Sequence, residues 1–373
     1  MIRRSESVRT SAAPVVRRRP TRRWLLGLAA AALVAPRARA AAPDHRATAL
    51  RLARAFAVPR YRVLAEATAA QDAAWRTVAA GPRADAAGLD AAFQAAADAW
   101  AGIEMVRYGP VDEDSRYERM AHWPERRGAI GKALADLLAA SDALTPERLR
   151  RASAAAQGLS ALERLLYGED PESTAALRRD LAGPVGDRRR ALGAAIAQGL
   201  ARHAAATLAG WTGPDGMTAR LEGGSPEAAH EAVTRLATDH LAFLEAIADA
   251  KIGTVLGRSA DEARPLAAEG WRAGRSLRAI RVNLDAADAF TRTALAQDAA
   301  ALASVLAGLD TPRAVAGRLA AGTASLGDLA GDPQQRVRVL LLRDAVRSAS
   351  AVSEPVLSEA LGVTVGFNSR DGD

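Results

Sequence analysis

The sequence predicts an all-α fold of two helical bundles, and three observations carry that prediction. Alanine, leucine, arginine and glutamate recur at helical spacing along most of the chain, and convincing alternating strands are lacking. Capping side chains stand directly before proline at Thr145-Pro146-Glu147, Ser225-Pro226-Glu227 and Thr311-Pro312, each reading as a helix start. Aromatic residues make up 4% of the chain, so packing must rely on alanine for close helix approach and leucine to fill the seams.

The first segment reads as an export signal. Residues 1 to 23 hold eight arginines and one acid, and the apolar run Leu25 to Val34 is too brief to span a bilayer. Ala38-Arg39-Ala40 supplies small residues at a cleavage spacing, and Thr21 to Leu26 (TRRWLL) is similar to a twin-arginine motif. Cleavage after Ala40 predicts a soluble, periplasmic chain that starts at Ala41, carries no transmembrane segment and is not a lipoprotein. The signal holds ten arginines against Glu6, so its removal takes the net charge from +7 to −2. That leaves no cationic surface to suggest nucleic acid. With no cysteine, disulfides, thiolate chemistry and sulfur-bound metal centres are excluded.

Helices are expected over 44–79, 88–108, 125–140, 146–167 and 173–209. A second series is expected over 226–256, 262–281, 284–308, 312–329 and 333–350. Turn residues at 211–216 and 222–225 interrupt the periodicity between them. The predicted organisation is a signal peptide over 1–40, a first bundle over 41–210 and a second over 211–373. Residues 362–373 read as extended and glycine-rich.

Three segments carry polar groups at informative positions. In Gly158 to Gly168, Leu159, Leu162, Leu165 and Leu166 share one helical arc while Ser160, Glu163 and Tyr167 fall on its edge. A carboxylate there must be solvated, paired with an arginine or bound to a cation. In the second, Trp100, Glu104 and Arg107 follow an i, i+4, i+7 stripe ended by Gly109-Pro110; it reads as a tryptophan over a local ion pair or as a carboxylate facing a cleft. In the third, Trp271, Arg275 and Arg278 share a face, with Arg281 and Asn283 following. Arginines outnumber lysines 48 to 2, which makes any lone arginine weak evidence of a site.

Gly158 to Glu163 resembles the Gly-x-His-x-x-Glu signature of the imelysin family, with Ser160 at the histidine position. Trp100 to Pro110 (WAGIEMVRYGP), Trp123-Pro124, Trp271 to Leu284 (WRAGRSLRAIRVNL) and Leu361 to Asp373 (LGVTVGFNSRDGD) extend the resemblance over nearly all of the mature chain. It implies two related bundles in a bacterial envelope protein; the family is named after an insulin-cleaving metallopeptidase and is often associated with iron acquisition. The expected cleft holds Glu104, Arg107, Trp123, Gly158, Ser160, Glu163, Arg275 and Arg278. Glu163 and Glu104 are the expected ligands for iron or another divalent metal, and Arg275 and Arg278 are expected to reach across towards Glu163.

The ligand inventory favours binding over hydrolysis. The histidines are His45, His122, His203, His230 and His240, and the last two lie roughly 15 Å apart along one helix, too far to share an ion. Ser160 is a weak transition-metal ligand, and His122 is the candidate substitute. No zinc-peptidase helix motif, nucleophile elbow, phosphate loop or calcium loop is present. The sequence therefore predicts a binding or accessory protein linked to iron or metal uptake, with a metal ion or small ligand and other envelope iron-uptake proteins as partners. Its alternatives are a metal-dependent peptidase and a non-catalytic partner-binding protein.

Overall fold

Leu64, Thr68, Gln71, Trp75 and Val78 are buried along one stripe of the helix Val58–Ala79, the three-to-four spacing that turns a helix face into a packing surface. That helix belongs to a computed structural model describing residues 43–81, 86–183 and 186–365. The signal peptide, its cleavage site and residues 366–373 lie outside the described residues. Helix accounts for 76%, and among the described residues there is no strand.

The chain opens with α1 (His45–Arg51), which passes through a π-helical turn, Leu52–Ala57, into α2 (Val58–Ala79). There follow α3 (Ala86–Ala101), α4 (Arg116–Met120), α5 (Ala129–Ala139), α6 (Pro146–Arg151), α7 (Gly158–Leu166), α8 (Pro171–Ala182) and α9 (Asp187–Thr212). After α10 (Met217–Gly223), α11 (Pro226–Ala246) runs through a second π turn, Ile247–Gly253, into α12 (Thr254–Leu256). The chain continues with α13 (Ser276–Ala294), α14 (Ala299–Ala320), α15 (Leu326–Gly331) and α16 (Arg336–Leu361).

Helices α2, α3, α7 and α9 pack on one another, as do α11, α13, α14 and α16. Contacts of α3 with α13 and of α1 with α11 join the two sets, and the buried side chains form one continuous core. Small residues set the helix spacing. A Cβ at Gly193 on α9 would sit under 3.0 Å from the Trp75 ring, so this glycine lets the indole lie flat between α2 and α9.

Several expected boundaries move, each for a local reason. Thr145 and Ser225 do cap α6 and α11, accepting from the Arg148 and Ala228 backbone N–H groups at 3.2 Å. Thr311-Pro312 is instead inside α14, whose N-terminus is capped by Asp298, and Pro312 is buried there. The expected 88–108 helix ends at Ala101. Ile103, Glu104, Met105 and Val106 are four consecutive buried residues, which a single helix face cannot supply; Ile103 and Val106 donate three residues back instead, to Trp100 and Ile103. The expected 146–167 helix is broken before Gly158, which has φ 71°. The expected 262–281 helix is a loop up to Arg275, with Gly257, Gly270 and Gly274 at positive φ, and the helix starts at Ser276.

Candidate functional site

The loop that replaces the expected helix over 262–275 builds the site. Gly270 and Gly274, both with φ 64°, turn the chain so that the Ala273 N–H points at Glu163 and donates to its Oε1 at 2.9 Å. Glu163 and Ser160 are half-buried on the edge of α7, while Leu159, Leu162, Leu165 and Leu166 are buried, as the helical arc predicts. Gly158 has a steric task. A Cβ there would lie under 3.0 Å from the Arg119 and Met120 carbonyl oxygens, so α7 begins hard against the end of α4.

Between these elements lies a cavity of about 270 Å³. Phe93, Trp100, Trp123, Leu159 and Trp271 form much of its apolar wall, and Ser160, Glu163, His122, Glu125, Arg164, Glu269, Arg272 and Arg275 are polar groups on its lining. Nearly all of these charges are matched. Arg164 pairs with Glu125, Arg272 with Glu169, Arg275 with Asp98 and Glu269 with Lys251. Glu163 has no ion pair among the described residues, and its bond from Ala273 satisfies one oxygen. Burial pushes its carboxyl up to about 6, against the Ala273 bond and the more distant Arg272 and Arg275 charges.

Glu104 lies behind this wall, buried in the turn after α3. Its Oε1 accepts from Lys251 Nζ at 2.5 Å and from Asn283 Nδ2 at 2.6 Å. The same ammonium donates to Glu269 Oε2 at 2.6 Å and Asn283 Oδ1 at 2.8 Å. Burial opposes the Lys251 charge, but the two carboxylates outweigh it and raise its pKa. Burial likewise raises Glu104, with the lysine charge pulling the other way.

The expected cleft residues thus separate into groups. Trp123, Ser160, Glu163 and Arg275 line the cavity. Arg275 and Arg278 meet Asp98 on α3, not Glu163: Arg275 Nη2 donates at 2.9 Å, and Arg278 Nε at 2.9 Å to both oxygens. Burial acts against ionising Asp98, but the two guanidinium groups hold it below the usual carboxylate range. Arg107 is outside the cavity lining. Its guanidinium lies 4.1 Å from the Tyr117 ring centroid and its backbone N–H donates to Asp239 Oδ2 at 2.8 Å, so Lys251, not Arg107, compensates Glu104.

Sequence reasoning missed Lys251 and Glu269. One signal was available for the lysine: it is one of two in a chain with 48 arginines, so composition alone does not explain it.

The donor set does not fit a metal ion. Glu104 and Glu269 are engaged by an ammonium, serine stands where an imidazole is expected, and no three His, Cys, Asp or Glu side chains converge among the described residues. His122 lines the cavity but adds no third donor beside Glu163. Elsewhere, His45 and His230 meet at 3.4 Å, and His240 is fully buried against Phe290.

The helices thus surround a cavity with tryptophans in its wall and, among the described charged groups that line it, one carboxylate without an ion-pair partner. The imelysin family model matches residues 57–352, and the chain belongs to the imelysin family. An imelysin-like protein from Psychrobacter arcticum 273-4 superposes with a TM-score of 0.67 at 19% identity, covering 87% of this chain and 99% of that one. A protein described as an iron-regulated protein A precursor, from Parabacteroides distasonis ATCC 8503, superposes with a TM-score of 0.66 at 13% identity, covering 87% and 97%. At these identities the likeness is one of fold. No protein of curated function matches this sequence.

Proposed function

We propose that this imelysin is a non-hydrolytic binding protein of the periplasm, exported by its N-terminal signal, whose cavity takes a small organic ligand with a cationic head. One observation carries the reading: among the charged groups lining the cavity, Glu163 alone lacks an ion-pair partner among the described residues. An ammonium or amidinium head placed there would pair with the carboxylate; Trp271 and Trp123 already carry the Arg272 guanidinium at 4.0 Å and the Lys251 ammonium at 5.6 Å from their ring centroids, so the tryptophans serve as wall for the ligand body. The volume limits the ligand to a small molecule.

The setting we propose is iron or metal supply, in which the protein serves as a binding or accessory component alongside other envelope proteins. The description of the Parabacteroides protein as an iron-regulated protein supports that setting. Among the described residues no helix is long and apolar enough to cross a membrane, in keeping with a released mature chain. A bare metal ion is disfavoured as the ligand, because no three His, Cys, Asp or Glu side chains converge at Glu163 among the described residues.

Calorimetric titration of the mature chain with benzylamine, and separately with ferrous, ferric and zinc ions, tests the proposal. Saturable benzylamine binding that is lost in Glu163→Gln is expected. Stoichiometric metal binding through Glu163, or metal-dependent peptide cleavage that Glu163→Gln abolishes, overturns it in favour of a metal site or a peptidase.

A further inference from the structure

A second group of charges, outside the cavity lining, gathers where α4 and α6 both pack on α9. Arg119 on α4 is half-buried, and its Nη1 donates to the Arg150 carbonyl at the end of α6 at 3.3 Å. That bond uses one of its five guanidinium donors. Arg202, half-buried on α9, meets no acceptor among the described residues, and neither it nor Arg119 has an ion pair there. Its proton affinity is lowered by burial and then by the Arg150 and Arg119 charges, with Glu147 acting the other way. Glu147 is already engaged, by Arg150 at 3.2 Å. Three guanidinium groups thus share one carboxylate. His203, next on α9, feels the same surplus: its Nε2 is buried without a partner, and burial followed by the Arg202, Arg119 and Arg116 charges lowers its imidazole to about 4.

The surplus is local. Each of the three helices carries another arginine that is matched, Arg116 with Glu113, Arg148 with Asp142 and Arg190 with Asp187, so an arginine-rich composition does not by itself leave these groups unpaired. Neighbouring like charges repel, and a dianion set among them turns that repulsion into attraction. Guanidinium forks suit tetrahedral oxyanions, which they grip through paired hydrogen bonds. We propose that Arg119, Arg150 and Arg202 form a binding site for a phosphate-type oxyanion, held by the free donors of Arg119 and Arg202 with the Arg150 charge beside them. A singly charged carboxylate would leave part of the surplus standing, whereas a phosphate dianion offsets it. Free orthophosphate and the phosphomonoester of a lipid headgroup share this chemistry. The inference rests on these arginines and not on what Glu163 binds, so either reading can fail without the other.

The test has two arms, run on the mature natural chain, Arg202→Gln and Arg119→Gln. In the first, sodium phosphate is titrated calorimetrically near neutral pH in a buffer free of phosphate and sulfate. In the second, phosphatidylcholine vesicles with and without phosphatidic acid are sedimented with the protein. Saturable binding in at least one arm is expected, weakened at least about tenfold in each variant, as loss of a charge-assisted hydrogen bond implies. Orthophosphate binding assigns the site to the free anion, and binding to phosphatidic acid vesicles alone assigns it to the headgroup. Two further readouts separate lost binding from lost folding. Without phosphate, Arg202→Gln should melt no lower than the natural chain, because the substitution removes a repelling charge. When phosphate binds the natural chain, the His203 imidazole followed by nuclear magnetic resonance should titrate at higher pH, since the anion offsets the arginine charges, and should stay unmoved in Arg202→Gln. Absence of binding in both arms, or binding that both variants retain in full, overturns the proposal.

Discussion

Replacing Gly158 by alanine tests whether the opening glycine of the signature serves chemistry or packing. Two costs follow from its place. An L-residue at φ 71° is held in the left-handed region, which costs about 1–2 kcal/mol. The added Cβ would also lie under 3.0 Å from the carbonyl oxygens of Arg119 and Met120, backbone atoms that cannot rotate away, and overpacking of this kind adds about 1–3 kcal/mol. Gly158→Ala should therefore lose about 2–5 kcal/mol. Gly128→Ala is the internal control: its φ is 66° but nothing lies within 4 Å of the added carbon, so only the conformational part, about 1–2 kcal/mol, applies. Urea unfolding followed by far-ultraviolet circular dichroism gives both values. Because the displaced carbonyls lead directly into the His122-Trp123-Pro124 wall of the cavity, Gly158→Ala should also weaken ligand binding where Gly128→Ala does not. Equal losses in the two variants would refute the steric account of Gly158.

Other consequences are simpler to state. Burial raises Glu163 to about 6, above roughly 4.3 in an unfolded chain, so its contribution is fully present below the unfolded value and is lost as pH rises through 6. Glu163→Gln should remove that loss, making the variant more stable at pH 7 by about 2 kcal/mol in urea titrations, with no difference near pH 4. For His240 the sign is reversed: burial lowers it to about 3, so stability present above roughly pH 6.5 is lost as the pH falls towards that value. His240→Phe keeps a ring against Phe290 and should flatten the acid side of the stability profile; an unchanged profile would contradict this. Arg336 donates to the Leu256, Gly257 and Ala330 carbonyls at the ends of α12 and α15, so Arg336→Met should cost about 3 kcal/mol or more in the same assay.

What the sequence disclosed, and what it did not, divides along the range of the interactions. Helical periodicity and local caps are short-range, and they placed α2, α11 and the edge position of Ser160 and Glu163 on α7. Cues from single residues misled where tertiary packing overrode them. Pro312 reads as a helix start but is carried inside α14, and the Trp100-Glu104-Arg107 stripe dissolves because four successive residues seek burial on different sides. The Trp271 segment failed for a related reason: its glycines take positive φ, turning an apparent helix face into a loop whose backbone serves Glu163. The cage around Lys251 joins positions up to 179 residues apart, and no local pattern records such a meeting. Glu104 and Asn283 were legible as polar positions without their partners, and only the rarity of lysine marked Lys251.

The central claim is that Glu163 is the unmatched anion that receives a cationic ligand, and its pH dependence tests it most directly. Benzylamine is titrated calorimetrically into the natural chain from pH 5 to 8, with benzyl alcohol as the uncharged control. Because the Glu163 carboxyl titrates at about 6, affinity should be full at pH 7 to 8 and fall about tenfold by pH 5, with benzyl alcohol weak throughout. Pairing with the cation depends on the ionised carboxylate. Equal affinity for the alcohol, or benzylamine binding that is independent of pH and survives Glu163→Gln, would contradict the account.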